Sequence, residues 1–178
     1  MWNRWQLVFA PTMCVKPINL CTMLHHLALC IGFWHGLRVS ELIQIRGRDI
    51  KDVQLSVQRK KNSLITLQPI RRDSDPLFDC SPVLAMAAGS PEARLFPFCR
   101  QRVDQFVRRY ARLAGLHPDK SHSHAVMKHS VAMVLWEETH SLGQIQSYLG
   151  HKASSSSLQH LREADHGKAQ AALASLSI

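Results

Sequence analysis

Apolar residues recur at helical spacing through Met23, Leu24, Leu27, Cys30 and Ile31, which predicts a helix from about Ile18 to Trp34. Gly36 stands where a C-terminal cap belongs. Leu37-Arg38-Val39 is a short connection, and Ser40 is placed to cap a second helix from Glu41 to about Ile45. The period then changes to two at Val53, Leu55 and Val57, as in a half-buried strand. Leu64, Ile65 and Leu67 read as the partner strand. The polar turn Arg59-Lys60-Lys61-Asn62-Ser63 joins them into a hairpin with a basic tip. Residues 71–91 are rich in Asp, Pro and Gly and read as loop, with a short helix at Val83 to Ala88. Leu95 to Phe98 is an apolar anchor.

The clearest helix is Arg100 to Gly115, where Val103, Phe106, Val107, Tyr110, Leu113 and Ala114 form one stripe. Arg102, Arg108, Arg109 and Arg112 lie off that stripe, on a face that reads as solvated. A further helix is predicted from Ala125 to Glu138, burying Val131, Val134 and Leu135. Ser141 and Gln144 resemble a capping box that opens a short helix with Leu142, Ile145 and Leu149 inward. Gly150 ends that helix and presents His151. The tail from Asp165 to Ile178 carries Ala169, Ala172, Leu173 and Leu176 on one helical face, which must pack in cis or on a neighbouring copy.

The chain has 178 residues, 46% of them hydrophobic, which suits one globular domain with a real core. Its net charge of +9 and pI near 9.8 favour a polyanionic partner, nucleic acid before membrane. The run from Cys21 to Trp34 is too short for a membrane span and carries His25 and His26. Leu7 to Ala10 is too short, and too soon broken by Pro11, for a secretory signal. Cys14, Cys21, Cys30, Cys80 and Cys99 form no Cys-x-x-Cys pair, and read as reduced, mostly buried thiols of a cytoplasmic protein. Residues 1–17 read as an N-terminal extension without an assigned role, 18–165 as the domain, and 166–178 as a C-terminal helix or tail.

Several motifs occur in a telling order: GLRVSELIQIRGRDI, the basic hairpin, LFPF before the long helix, KHS, QSYLGH, and a Ser-rich run. Together they resemble the catalytic domain of tyrosine recombinases, the phage integrases, over about Ile18 to Asp165. The resemblance implies an α+β, mainly helical fold with a small antiparallel sheet. It also implies a clamp on double-stranded DNA and strand transfer without cofactor or metal. In complete members a separate helical domain precedes this one, and this chain is expected to lack it. Transesterification at phosphorus builds negative charge on the phosphate oxygens, so fixed cationic donors suit it. Arg38 matches the first arginine of the family, and a guanidinium can bond two phosphate oxygens at once. Lys60 or Lys61 matches the lysine that protonates the leaving oxygen, with Lys60 favoured.

The chain departs from the pattern at three places. Lys128 stands where the family has its second arginine, keeping the charge but losing the fork. The family histidine would fall on Ala125, and the adjacent His124 is the candidate substitute. His151 matches the third position and is a candidate phosphate donor. The family tyrosine lies nine residues further on, where this chain has His160. Tyr110 and Tyr148, the two tyrosines present, sit within helices and are not placed to attack. An imidazole can attack phosphorus, but the phosphoramidate it forms is labile, so orderly strand exchange would suffer.

A zinc site among His122, His124, His129, His140, His151 and His160 lacks helical ligand spacing and a nearby thiolate or carboxylate, so no metal is expected. The expected function is therefore that of a DNA-binding, integrase-type recombinase domain with impaired cleavage. The alternatives are a non-catalytic DNA-binding regulator, partnered with an active recombinase or a second copy through the C-terminal helix, and a fragment that folds poorly.

Overall fold

The structure, a computed structural model, describes residues 20–59 and 63–152. The first helix, α1 (Leu20–Trp34), is buried without a break from His25 to Phe33, and only its first turns, with Met23, reach solvent. A helix apolar on every side belongs at the centre of a domain. His25 stacks on Phe106 at 4.3 Å and shares a hydrogen bond with the Tyr110 hydroxyl at 3.3 Å, while Gly32 lies against Met127. Gly36 follows at φ +58°, and a Cβ there would meet Leu149 at 2.4 Å and Val131 at 2.9 Å, so the turn requires glycine on both counts.

The next helix, α2 (Val39–Leu42), is a single turn, and Arg38 rather than Ser40 occupies its N-cap position. Glu41 closes the turn by accepting from the Arg38 backbone N–H at 2.9 Å. After a 3₁₀ turn at Gly47–Asp49, three short strands form an antiparallel sheet in the order β1 (Ile50–Lys51), β2 (Gln54–Val57) and β3 (Thr66–Pro69). Asp52 and Val53, with φ 50° and 61°, make a two-residue turn between β1 and β2, so Val53 belongs to the turn and not to the strand. The inward face of β3 is also the reverse of the expected one. Leu64, Ile65 and Leu67 are exposed, while Thr66 and Gln68 are buried because both bond Arg59. Pro69 is tolerated because β3 is an edge strand.

Helices α3 (Pro82–Gly89) and α4 (Arg100–Leu113) complete the main core with Val83, Ala87, Val103, Phe106, Val107 and Tyr110. Leu113, the last residue of α4, leaves the stripe and is exposed. Arg102, Arg108, Arg109 and Arg112 are exposed, as the polar face predicts. The helix expected from Ala125 begins instead as a π-helical turn, His124–His129, and becomes α-helical only at α5 (Ser130–Thr139). The Ser130 backbone N–H and its hydroxyl both donate to the Ala125 carbonyl, five residues back, which holds the wider turn. Helix α6 (Leu142–Leu149) opens on Ser141, whose Oγ accepts from the Gln144 N–H at 3.3 Å, and closes on Gly150. Val131, Ala132, Ile145 and Leu149 form a second, smaller core beneath α5 and α6, with Leu135 and Leu142 half-buried against it.

Cys30 and Cys80 are buried thiols, whereas Cys21 and Cys99 are exposed, so the expectation of burial holds for the first pair and fails for the second. Among the described residues no helix is long and apolar enough to cross a membrane. The segments 1–17 and 166–178, and with them the tail stripe, lie outside the described residues.

Candidate functional site

Arg38 sits between the end of α1 and the single turn α2, and its side chain is 25% exposed. The buried Glu41 carboxylate fixes it. One oxygen accepts from Arg38 Nη1 at 3.0 Å, and the other takes the Arg38 backbone N–H. That second oxygen also faces Nη1 of Arg59 at 3.4 Å, so one carboxylate serves two guanidiniums.

Lys128 lies within the π-helical turn, in a run of buried residues from Ala125 to Lys128 that packs against α1. It is 1% exposed, and its Nζ has no hydrogen-bond partner among the described residues. Burial, and then the Arg38 charge, lower its pKa to about 8, with Glu41 acting in the opposite sense. An unpartnered buried ammonium is costly unless an anion meets it.

His151 follows Gly150 and is buried, with its backbone N–H donating to the Gln146 carbonyl at 2.9 Å. Gly150 has φ +67°, and a Cβ there would press on the Leu64 carbonyl at 2.7 Å, so the α6 turn can seat on the hairpin only through glycine. Burial, followed by the charges of Lys128, Arg38 and Arg59, lowers the His151 pKa to about 4. It is therefore a neutral imidazole at pH 7, able to donate one N–H. His124 is exposed at the start of the π turn and stacks with His122 at 6.3 Å. Its pKa is lowered by burial and by the Lys128 and Arg38 charges.

Arg38, His124, Lys128 and His151, drawn from three separate stretches, thus come together in one electrostatic cluster. Lys60 and His160 lie outside the described residues. Two members of the cluster were not foreseen. The sequence places Glu41 only at the start of a short helix. The sequence puts Arg59 in a polar turn, yet its side chain is fully buried. Its signal was present: Leu55, Val57 and Arg59 continue the period of two, which directs all three to the same face.

The tyrosine hydroxyls are engaged elsewhere. Tyr148 donates to the Trp34 carbonyl at 2.5 Å, and Tyr110 pairs with His25. Among the described residues no group of His, Cys, Asp and Glu could hold a metal ion. Three cationic side chains around one carboxylate, with a neutral imidazole beside them, leave an excess of positive charge suited to one phosphodiester.

The sequence pattern of the phage integrase family matches residues 15–166. No match emerges among curated protein sequences. Solved structures share the fold. A lambda integrase dimer bound to a COC' core site superposes with TM-score 0.64 at 18% identity, over 88% of this chain and 45% of that one. The XerH site-specific recombinase in a post-cleavage complex with a palindromic difH substrate gives 0.66 at 18%, over 88% and 46%. XerA recombinase gives 0.65 at 15%, over 94% and 62%. The chain thus spans between about half and three-fifths of the length of these relatives.

Proposed function

Because the chain belongs to the phage integrase family, we propose that it is a DNA-binding recombinase domain whose basic cluster receives one phosphate of duplex DNA. The observation that carries this reading is the Lys128 ammonium, buried without a hydrogen-bond partner among the described residues and beside Arg38 and His151. A phosphate oxygen supplies the missing acceptor. Arg38, held through one Nη by Glu41, brings a guanidinium charge to the phosphate. Lys128 contributes a point charge where a guanidinium would have offered two parallel bonds. The neutral His151 imidazole and the exposed His124 stand beside them. Lys60 or Lys61, with Lys60 favoured, is the proton donor to a leaving oxygen. No cofactor or metal enters this scheme.

Strand transfer in this reading is impaired. His160 occupies the nucleophile position, and an imidazole that attacked phosphorus would form a labile phosphoramidate in place of a stable phenolic ester. That residue, together with Lys128, favours a second reading in which the chain occupies DNA without cleaving it. It would then act as a regulator beside an active recombinase or a second copy, held by the segment 166–178, in the cytoplasm where the DNA lies.

The test compares the wild type with its His160→Tyr and His160→Ala variants on nicked duplex DNA taken from the ends of the element that encodes it. The readout is a protein–DNA band that resists denaturant. A band with the Tyr variant alone means that the phosphate pocket works and lacks only its nucleophile. A wild-type band lost in His160→Ala shows attack by histidine. No band with any variant, alongside salt-dependent binding, favours the regulator.

A further inference from the structure

We propose that Arg59 is the positioning residue of the basic cluster, the side chain that sets Arg38 and His151 in place relative to each other. The inference rests on the phosphate-binding reading above, but its geometry stands apart from it.

Arg59 reaches three elements at once. Its Nη2 donates to the His35 carbonyl at 2.7 Å and its Nη1 to the Gly36 carbonyl at 3.1 Å, the last two carbonyls but one before Arg38. Its Nε donates to Thr66 Oγ1 at 3.0 Å, and Nη2 also faces Gln68 Oε1 at 3.3 Å, both on β3. Nη2 further approaches the Tyr148 carbonyl at 3.5 Å, three residues before His151. Gln68 reinforces that last contact by donating its own Nε2 to the Tyr148 carbonyl at 2.8 Å. The remaining partner is Glu41, the carboxylate that holds Arg38.

A guanidinium is planar, with its N–H groups in a fixed fork, so bonds to several segments fix their mutual angles as well as their distances. A buried ion pair that served only stability would be replaceable by apolar side chains of similar size. Here the acceptors fall in the backbone immediately before Arg38 and before His151, and in the carboxylate gripping Arg38. The inner face of β3 is polar for the same reason, since Thr66 and Gln68 are the acceptors there. His151 also lies within reach of the Arg59 charge, together with Lys128, Arg38 and Glu41, so its protonation reports on Arg59 without any DNA present.

The experiment uses the full chain as wild type, Arg59→Met and Arg59→Lys. Without DNA, NMR follows the Arg38 side-chain N–H and the His151 ring through a pH titration. With DNA, affinity for a duplex oligonucleotide is measured against salt. In Arg59→Met, folded by its helical circular dichroism, the His151 midpoint rises above about 4, while burial and the Lys128 and Arg38 charges still hold it below the ordinary value. Duplex affinity in that variant falls about tenfold, and the salt slope drops by about one as a phosphate contact is lost. Arg59→Lys keeps the charge and loses the fork, so the His151 midpoint stays low while the Arg38 and His151 resonances shift and affinity falls. Arg38 and His151 resonances unchanged in Arg59→Lys overturn the proposal, whether or not the Met variant folds. An unmoved His151 midpoint in a folded Arg59→Met does the same. If the wild type shows no salt-dependent binding, the phosphate reading fails, and the DNA-free resonances alone then uphold or overturn the role of Arg59.

Discussion

Lys128 shows how one residue can oppose stability and function. Its ammonium is buried and has no hydrogen-bond partner among the described residues, so removing the charge relieves the folded state. Lys128→Met is expected to raise stability by about 1–3 kcal/mol in urea unfolding, while weakening duplex binding. Lys128→Arg restores the fork and should tighten binding, read in the same titration. The pH dependence follows from the same burial. The folded pKa is depressed to about 8 from 10.5, so between these values the unfolded chain binds more protons and stability rises with pH. A wild-type stability curve flat from pH 8 to 10.5, or parallel to that of Lys128→Met, would contradict this account. At the same scale, Arg59 was legible in the sequence and misread: a charged residue after a strand looks like turn, and only its place in the period of two pointed inward.

At the scale of elements, the β1–β2 turn and the Gly150 turn carry opposite lessons. Val53 holds φ 61°, a region costly for a β-branched residue. Val53→Gly should therefore stabilise the chain by roughly 0.5–1 kcal/mol, seen as a higher urea midpoint at unchanged slope. Gly150 is already the residue its φ of 67° demands, and a Cβ there would meet the Leu64 carbonyl at 2.7 Å. Gly150→Ala should cost about 2 kcal/mol or more through strain and overpacking. It should also weaken duplex binding beyond what the lost stability explains, since His151 shifts with the turn. The glycine stops and the Ser141 cap were readable because local backbone chemistry dictates them. The π-helical entry to α5 was not, because its extra residue per turn is held by Ser130 against Ala125 and by packing on Gly32 of α1.

For the molecule as a whole, buried histidines set acid stability and basic charge sets partner choice. The pKa values of His25, His35 and His151 are lowered to about 4, so each must gain a proton on unfolding below its ordinary value of 6.5. Stability is then full above pH 6.5 and falls as pH drops toward 4, with the nearly inaccessible His35 alone contributing on the order of 3 kcal/mol. Thermal melts between pH 7 and 4 check this, and an unchanged midpoint would refute it. Duplex affinity should fall roughly fortyfold between 50 and 200 mM salt if about three phosphates are neutralised. The sequence by itself determined the mainly helical order of elements, the glycine stops, the Ser141 cap, the integrase-type motifs and the net charge of +9. These follow from local periodicity, turn chemistry and residue identity, all of which act over a few neighbours. Only the tertiary structure decided that Arg59 lies inside, that β3 turns Thr66 and Gln68 inward, and that Lys128 is buried without a hydrogen-bond partner among the described residues. Those outcomes depend on α1, the hairpin and α6 converging from distant parts of the chain, where desolvation and shared hydrogen bonds outweigh local preference.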